Sequence, residues 1–280
     1  MSNSLNQYSI FDLEDQKSLS RIYNKYGFVI LKNIFDLKHI QNIEDAILSI
    51  THQERKRLEN DYSEREIPQN NKSINELILE MEKINKKYVS KIYDFINSHP
   101  ALYSIVSSKK LSQIISQLIY QESTNQLIVN GFQLRMDLPR NKSELLGWHR
   151  DYDYFPGFSS RGVVTWIPLH DIDSKTGGIS IIPKKFKESD IQTKKVIKKW
   201  EGRKDHTTFE IANLNDLKRE SLKPIRIFVK KTDIVLFNMC SIHKSEPNIG
   251  EKIRWTAQIR WYPSDDKCFV EKDRAALENL

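Results

Sequence analysis

The sequence predicts a mainly β fold, an antiparallel barrel or jelly roll with helices packed outside it. Two observations support this fold class. Apolar residues recur every three or four positions in the first part of the chain, whereas from about residue 126 they alternate with polar ones. No helix of ten residues separates the strand candidates of the second part, so a parallel βαβ sheet is not expected.

The first part of the chain is predicted to be mostly helical. The exception is an apolar strand candidate at residues 27–31. Asp36 is placed to cap a helix that carries Ile40, Ile43 and Ile47 on one face. We expect such faces to pack the helices against the outside of the β core.

A long amphipathic helix is predicted farther along, because apolar residues recur every three or four positions between Leu77 and Phe95. Pro100 ends this region. The polar stretch before it, residues 52–73, is expected to be a mobile loop or a frayed helix. Another helix is expected behind Ser108.

The alternation of the second part is clearest in the strand candidate at residues 253–262. Trp255 and Trp261 share one face of it, and Arg254 and Arg260 share the other. The other strand candidates are residues 132–138, 163–169, 178–182, 225–229 and 234–238.

These elements predict a single domain of 280 residues. Residues 1–125 form its helical support, residues 126–262 its β core with a basic insertion at 184–223, and residues 263–280 a C-terminal tail. The formal net charge is +7, yet residues 184–231 alone hold 15 Lys or Arg and 7 Asp or Glu. A solvated lysine-rich insertion explains this charge, and a basic lid that attracts an anionic substrate is the alternative.

The composition argues against several classes of protein. Nothing resembles a nucleic-acid-binding module, and no stretch approaches the roughly 18 apolar residues that span a membrane. The N-terminus lacks the basic start and apolar core of a secretory signal, so the predicted location is the cytoplasm. Cys240 and Cys268 are too few for a disulfide framework, and Cys240 is interpreted as a small buried apolar residue.

His149 and Asp151 carry the clearest chemistry. Positions two apart on a strand point to the same side, so one imidazole and one carboxylate can reach a single metal ion. A second histidine from a distant strand would complete a face of two histidines and one carboxylate, which leaves open positions and suits non-haem iron(II). His243, which follows the strand candidate at residues 234–238, is the predicted partner.

Other histidines are weaker candidates. His52 and Glu54 repeat the same spacing, but positions two apart on a helix do not face one another. His170 follows a strand and competes with His243, yet its acidic neighbour Asp171 would point to the opposite face.

Six motifs relate the chain to a known family: YGFVILKNIF, GWHRDYDY, VVTWIPLHDID, GGISIIP, TDIVLFNMCSIHKSEPN and the arginine of EKIRW. With them the chain resembles the phytanoyl-CoA dioxygenase family of iron(II)- and 2-oxoglutarate-dependent oxygenases from about residue 26 to residue 262. The resemblance implies a double-stranded β-helix, which is a cupin-like jelly roll. One departure follows GGISIIP, where residues 183–186 read PKKF in place of the family's Pro-Gly-Ser-His.

The resemblance implies that His149, Asp151 and His243 are the catalytic iron ligands, with dioxygen and 2-oxoglutarate as co-substrates. In related halogenases a small residue replaces the carboxylate, so the presence of Asp151 favours hydroxylation, or a related oxidation, over halogenation. Tyr154 and Phe155 are expected, with Tyr152, to shape the cavity or to pack in the core.

Four further residues match positions that contact 2-oxoglutarate in the family. Arg254 matches the arginine that binds the distal carboxylate, which suits a planar guanidinium. Ser245 matches a hydroxyl that assists it. Trp166 is expected to line the pocket or to pack in the core, and Gln133 to contact the co-substrate from the other side.

The reaction so implied is hydroxylation of an unactivated C–H bond of a small metabolite, with release of succinate and carbon dioxide. The basic insertion favours an anionic substrate. Two alternatives stay open: a cupin-like protein that binds a ligand without catalysis, and a zinc-dependent hydrolase or isomerase at the same three side chains.

Overall fold

The structure is a computed structural model that describes residues 5–11, 15–34, 36–61, 72–122, 126–141, 145–198 and 206–265. Helices in these ranges are α1 (Gln16–Tyr26), α2 (Leu37–Asp61), α3 (Ile74–Ile84), α4 (Lys86–Asn97), α5 (Tyr103–Val106), α6 (Lys109–Tyr120) and α7 (Leu214–Arg219). None of these described helices has the length and apolar character needed to cross a bilayer.

The strands account for the predicted β core. They are β1 (Ser9–Ile10), β2 (Phe28–Leu31), β3 (Leu127–Asp137), β4 (Val163–Pro168), β5 (Gly178–Ile181), β6 (Thr193–Lys198), β7 (His206–Ile211), β8 (Ile225–Ile227), β9 (Ile234–Asn238), β10 (His243–Glu246) and β11 (Arg254–Pro263). Each strand predicted from the sequence is present, with its ends shifted by a few residues.

Two sheets form a jelly roll, which confirms the predicted fold class. The larger sheet has the strand order β1-β2-β9-β4-β11-β3, and the smaller sheet has the order β10-β5-β8. In the described residues every pairing is antiparallel except that of β1 with β2. Strand β2 comes from the mainly helical part of the chain and is built into the core beside β9.

The helices cover one face of the larger sheet. Trp255, Ala257, Ile259 and Trp261 of β11 belong to one buried cluster with helical residues such as Ile92. These are the residues that the alternating pattern placed on the apolar face of the last strand, so the predicted burial of that face is confirmed.

The opposite face of the larger sheet turns toward the smaller sheet. Trp166, Ile181 and Tyr262 are buried together in this interior. Arg254 and Arg260 alternate with the helix-facing residues of β11 and are buried as well. A buried guanidinium needs a charged or hydrogen-bonding partner, so the interior must contain groups that neutralise these two arginines.

The prediction of a single long helix between Leu77 and Phe95 is wrong, because the structure has two helices there. Asn85 separates α3 from α4 with extended backbone angles (φ −161°, ψ 111°). Its side chain accepts a hydrogen bond of 2.9 Å from the backbone N–H of Lys87. A short asparagine side chain competes with the helix for backbone groups in this way, and the apolar spacing continues across the break.

The other helix predictions are confirmed. The carboxylate of Asp36 accepts a hydrogen bond of 2.9 Å from the backbone N–H of Lys38 at the start of α2. Ser108 caps α6 by accepting one of 3.3 Å from the backbone N–H of Leu111. Helix α2 continues to Asp61, so the first half of the polar stretch is helical, and residues 62–71 lie outside the described residues.

The basic insertion has secondary structure that its composition did not indicate. Strands β6 and β7 form a hairpin, and α7 follows it. Ile211 and Leu217 of this insertion are buried in a cluster with Phe186 and Cys240. Cys240 is therefore the buried residue that was expected, and burial raises the pKa of its thiol to about 11. Cys268 lies outside the described residues.

Candidate metal centre

The three side chains predicted as metal ligands lie together between the sheets. The ligand atoms of His149, Asp151 and His243 are all within 4.8 Å of one another, and all three residues are buried. The Oδ1 atom of Asp151 is 3.6 Å from Nε2 of His149 and 3.4 Å from Nε2 of His243. In the described part of the chain no other group of His, Cys, Asp or Glu has this arrangement.

Backbone pairing brings these residues together. His149 and His243 exchange two backbone hydrogen bonds of 2.9 and 3.0 Å, so His149 lies beside the first residue of β10. Arg150 is extended (φ −123°, ψ 146°), which directs its two neighbours to the same side. The predicted geometry holds, although Asp151 begins a 3-10 turn that ends at Tyr154, and is not part of a strand.

Each imidazole is oriented by a backbone carbonyl. The Nδ1 atom of His149 is 2.7 Å from the carbonyl oxygen of Gly147, and that of His243 is 3.0 Å from the carbonyl oxygen of Ser241. A carbonyl oxygen only accepts hydrogen bonds, so Nδ1 carries the proton on both rings. The lone pair of each Nε2 is then free for a metal ion, which is the usual arrangement for metal-binding histidines.

The ionisation states suit a divalent cation. Burial lowers the pKa of His243 to about 3, and the neighbouring His149 acts in the same direction, so His243 is neutral. Burial raises the pKa of Asp151, but the charge of Arg260 outweighs this effect, and the pKa lies well below its ordinary value. Two imidazoles and one carboxylate thus face a single point, and this donor set fits iron(II).

Arg260 holds the carboxylate of Asp151, a contact that the sequence analysis did not predict. Its Nε and Nη2 atoms are 2.8 and 2.7 Å from Oδ2 of Asp151, which leaves Oδ1 on the side of the histidines. The register between β11 and β3 shifts between Gln258 and Arg260, and Nη1 of Arg260 donates to the carbonyl of Gly131 in the shifted segment. Such a bulge re-aims a side chain next to an active site.

Arg254, predicted to bind the co-substrate, is paired with a carboxylate that the sequence analysis did not single out. Its Nε and Nη2 atoms are 3.2 and 3.1 Å from Oδ2 of Asp137. Its Nη1 donates to the carbonyls of Thr176 and Glu246, at 3.1 and 2.7 Å. The other Asp137 oxygen accepts from Arg135 at 2.8 Å. Although burial raises the pKa of Asp137, the two arginines outweigh it, so the pKa is lowered.

The other three predicted co-substrate contacts are spread around the interior. Ser245 lies two residues after His243 on β10, half-buried. Trp166 is buried in the interior cluster and is the register partner of Gln258. Gln133 is half-buried on β3 and donates to the hydroxyl of Tyr93. Their contact with a co-substrate stays a prediction.

Aromatic rings lie close to the metal centre. The ring of Tyr154 meets the ring of His149 edge-on, with centroids 5.6 Å apart. The guanidinium of Arg260 lies over the ring of Phe155, with its Cζ atom 5.0 Å from the ring centroid. The guanidinium of Arg150 lies over the ring of Tyr152, with its Cζ atom 5.2 Å from the ring centroid. Of the three predicted cavity residues, Tyr154 therefore touches a predicted ligand directly.

The competing histidines are engaged elsewhere. The Nε2 atom of His170 accepts a hydrogen bond of 3.2 Å from the backbone N–H of Trp255. His52 lies on α2, and its acidic neighbour Glu54 pairs with Arg57 and Lys91. Neither histidine belongs to a group of potential ligands within the described ranges.

Gly177 has no side chain, and the guanidinium of Arg254 lies where a side chain at this position would begin. Its φ is +83°, and an added Cβ would lie 2.5 Å from Nη1 of Arg254 and 2.8 Å from the carbonyl oxygen of Glu246. We expect Gly177→Ala to lower the free energy of unfolding by about 1–3 kcal/mol, because it combines backbone strain with a clash. Urea denaturation measures this change.

The matched control is Gly250→Ala. An added Cβ at Gly250 meets no atom closer than 3.4 Å, which is an ordinary contact. We expect it to change the free energy of unfolding by less than about 1 kcal/mol. Equal losses in the two variants would argue against a specific role for the space at Gly177.

The sequence and the fold were compared with known proteins. The sequence profile of the phytanoyl-CoA dioxygenase (PhyH) family matches residues 23–256. Among curated proteins, none matches the sequence significantly.

Several solved structures share the fold. The non-heme alpha ketoglutarate dependent carbocyclase SnoK from nogalamycin biosynthesis has a TM-score of 0.57 at 16% identity, over 94% of this chain and 90% of that one. EctD from S. alaskensis with 2-oxoglutarate and 5-hydroxyectoine has a TM-score of 0.57 at 12% identity, over 92% and 80%. The epimerase SnoN in complex with Fe3+, alpha ketoglutarate and nogalamycin RO has a TM-score of 0.52 at 11% identity, over 90% and 85%. At these identities the likeness establishes the fold alone.

Proposed function

The chain belongs to the phytanoyl-CoA dioxygenase family, and we propose that it is a non-haem iron(II)- and 2-oxoglutarate-dependent oxygenase. The finer proposal is that it hydroxylates an unactivated C–H bond of a small metabolite. The cytoplasmic location stays a prediction from the sequence.

One observation carries the proposal: two imidazoles and one ionised carboxylate converge within 4.8 Å in a buried position. His149, Asp151 and His243 would hold the metal. Three protein ligands leave other coordination positions open, as a metal that binds a co-substrate and dioxygen requires. Neighbours of similar fold were solved with iron and 2-oxoglutarate, which supports the same cofactors here.

The position of Arg254 supports its proposed role toward 2-oxoglutarate. It donates to the carbonyl of Glu246, three residues after His243 on β10. Three residues of strand span about 10 Å, a separation that a metal bond and a five-carbon dicarboxylate together can bridge. The Nη2 atom carries two hydrogens, so pairing with Asp137 leaves one able to donate to the distal carboxylate.

Iron(II) with 2-oxoglutarate supplies the oxidation of a C–H bond by dioxygen, with release of succinate and carbon dioxide. The chain's own residues orient the reactants and exclude water. Arg260 fixes the free oxygen of Asp151, and the carbonyls of Gly147 and Ser241 fix the two imidazoles. Burial of all three ligands keeps bulk water from the reacting atoms.

Hydroxylation or a related oxidation is proposed ahead of halogenation because the predicted carboxylate ligand is present at Asp151. Structural neighbours include a carbocyclase and an epimerase, so the same centre can lead to ring closure or inversion in other proteins. Mass spectrometry after reaction under labelled dioxygen separates the outcomes: hydroxylation places one labelled oxygen in the product, and cyclisation or epimerisation places none.

The proposed function is tested by adding iron(II) and 2-oxoglutarate to the protein in the absence of oxygen and recording the visible spectrum. We expect a weak charge-transfer band in the green region. Binding of zinc without such a band, or no metal binding, would overturn the oxygenase proposal and favour a zinc enzyme or a ligand-binding protein.

Arg254→Met is expected to weaken 2-oxoglutarate binding by about 10- to 100-fold, because charged hydrogen bonds contribute roughly 1.5–3 kcal/mol. Titration of the visible band measures this affinity. Asp137 keeps its bond of 2.8 Å to Arg135 in this variant. Arg226→Met is the control, since Arg226 is exposed on β8 and pairs with Glu246 at 3.4 Å. Wild-type affinity in Arg254→Met would contradict the assignment.

A further inference from the structure

The hairpin of β6 and β7 reaches the metal centre through aromatic contacts. The ring of Phe209 meets the ring of Tyr154 edge-on, with centroids 5.1 Å apart. The backbone N–H of Phe209 donates to the hydroxyl of Tyr154 at 3.2 Å. Tyr154 in turn contacts His149. Two successive ring contacts, Phe209 with Tyr154 and Tyr154 with His149, therefore connect the hairpin to a predicted metal ligand.

The register of the hairpin fixes which side chains share the face of Phe209. Lys195 is the direct partner of Phe209, Thr193 that of Ile211, and Ile197 that of Thr207. Directly opposite residues of antiparallel strands point to the same side, as do residues two apart on one strand. Lys195, Ile197, Phe209 and Ile211 therefore lie on one face, which we call the Phe209 face.

The Phe209 face is covered at one end and open at the other. Ile211 is 7% exposed and packs in the cluster around Phe186, whereas Ile197 is 64% exposed. Isoleucine is among the residues most often buried. Ile197 is mostly exposed and therefore forms apolar surface on the same face of the hairpin as Phe209.

The two neighbouring lysines of β6 differ in their surroundings. Lys194 lies on the opposite face and pairs with Glu210 across the hairpin at 3.1 Å. Lys195 makes no ion pair with any residue that the structure describes. An ammonium group next to exposed apolar surface and an aromatic ring is complementary to a molecule with an apolar body and a negative charge.

We propose that Lys195, Ile197 and Phe209 bind the substrate, and that the substrate is an amphipathic anion. Its apolar body lies against Ile197 and Phe209, and its acidic group pairs with Lys195. This proposal rests on the proposed oxygenase function, because it takes the bound molecule to be the one presented to the metal centre.

The test uses two fluorescent probes of nearly the same shape, anilinonaphthalene sulfonate and its uncharged analogue phenyl naphthylamine. Lys195→Gln is expected to weaken sulfonate binding by about tenfold and to leave the neutral probe unchanged. Ile197→Asn is expected to weaken both probes. Lys194→Gln removes the same charge from the other face of the hairpin and is expected to affect neither.

Equal sulfonate binding by Lys195→Gln and Lys194→Gln would overturn the proposal, as would loss of both probes in Lys195→Gln. The visible band with iron(II) and 2-oxoglutarate is recorded on the same proteins, and none of the three substitutions touches a predicted metal ligand. If the wild-type protein lacks that band, the oxygenase proposal fails. The probe titrations still decide whether the Phe209 face binds amphipathic anions.

Discussion

Replacing His243 by alanine is expected to abolish stoichiometric iron binding. His243 supplies one of the three ligand atoms that converge within 4.8 Å. Loss of a residue that merely supports a ligand already costs about 10- to 100-fold in metal affinity, so loss of the ligand itself should exceed about 100-fold. Anaerobic titration with iron(II), followed by the visible band with 2-oxoglutarate, measures both the affinity and the co-substrate complex.

The matched control is His52→Ala, the same substitution in the pair that repeats the histidine-x-acid spacing on α2. It should bind iron as the wild type does, because His52 is outside the group of converging ligands. His243 also packs against Phe237, with ring centroids 4.7 Å apart, so His243→Gln serves as a second variant that fills more of the space. An affinity within threefold of wild type in both His243 variants would exclude His243 as a ligand.

The second large effect is expected on stability, at Arg260. Arg260→Met leaves the carboxylate of Asp151 buried and without its arginine, and breaking a buried ion pair in this way costs about 3–5 kcal/mol. Both side chains are almost inaccessible, at 8% and 5% exposure, so water cannot replace the lost partner. Urea denaturation in the presence of a chelator measures the free energy of unfolding of the metal-free protein.

A double-mutant cycle separates this pairing from simple loss of packing. Asp151→Asn removes the carboxylate charge that Arg260→Met leaves unpaired in the protein interior. The double variant should therefore lose less free energy of unfolding than the sum of the losses in the two single variants, by more than about 1 kcal/mol. Arg219→Met is the control, since Arg219 pairs with Asp216 on the surface and its side chain is 80% exposed. We expect a change within about 0.5 kcal/mol there. Additive effects at Arg260 and Asp151 would rule out the coupling.

The helical part of the chain was predictable where a local pattern carried the signal. The caps at Asp36 and Ser108 act within two or three residues of the chain, so a local sequence pattern is enough to predict them. The break at Asn85 was not predictable from periodicity, because the apolar spacing is the same for one long helix and for two helices whose apolar residues join the same buried cluster.

The clustering of His149, Asp151 and His243 was partly predictable because the geometry of the first two residues is local, and their role as metal ligands stays a prediction. His149 and Asp151 are separated by one extended residue, so a two-residue alternation placed them on one side. His243 was predicted from its place after the strand candidate at residues 234–238 and from the family resemblance, since nothing local in the sequence states that it pairs with His149 through the backbone. The alternation in β11 also placed Arg260 on the face of Arg254, but it did not name the partner of either arginine.

The sequence by itself determined the fold class, the alternation that buries the aromatic face of β11, and the three residues that fit a metal ion. Only the tertiary structure decided that Arg260 pairs with Asp151, that Arg254 pairs with Asp137, and that Phe209 of the basic insertion contacts Tyr154 beside the metal centre. The physical reason is distance along the chain. Alternation, capping and composition act between neighbours in sequence, whereas these pairings join residues more than 50 positions apart, and only the register of the sheets and the packing of the hairpin bring them into contact.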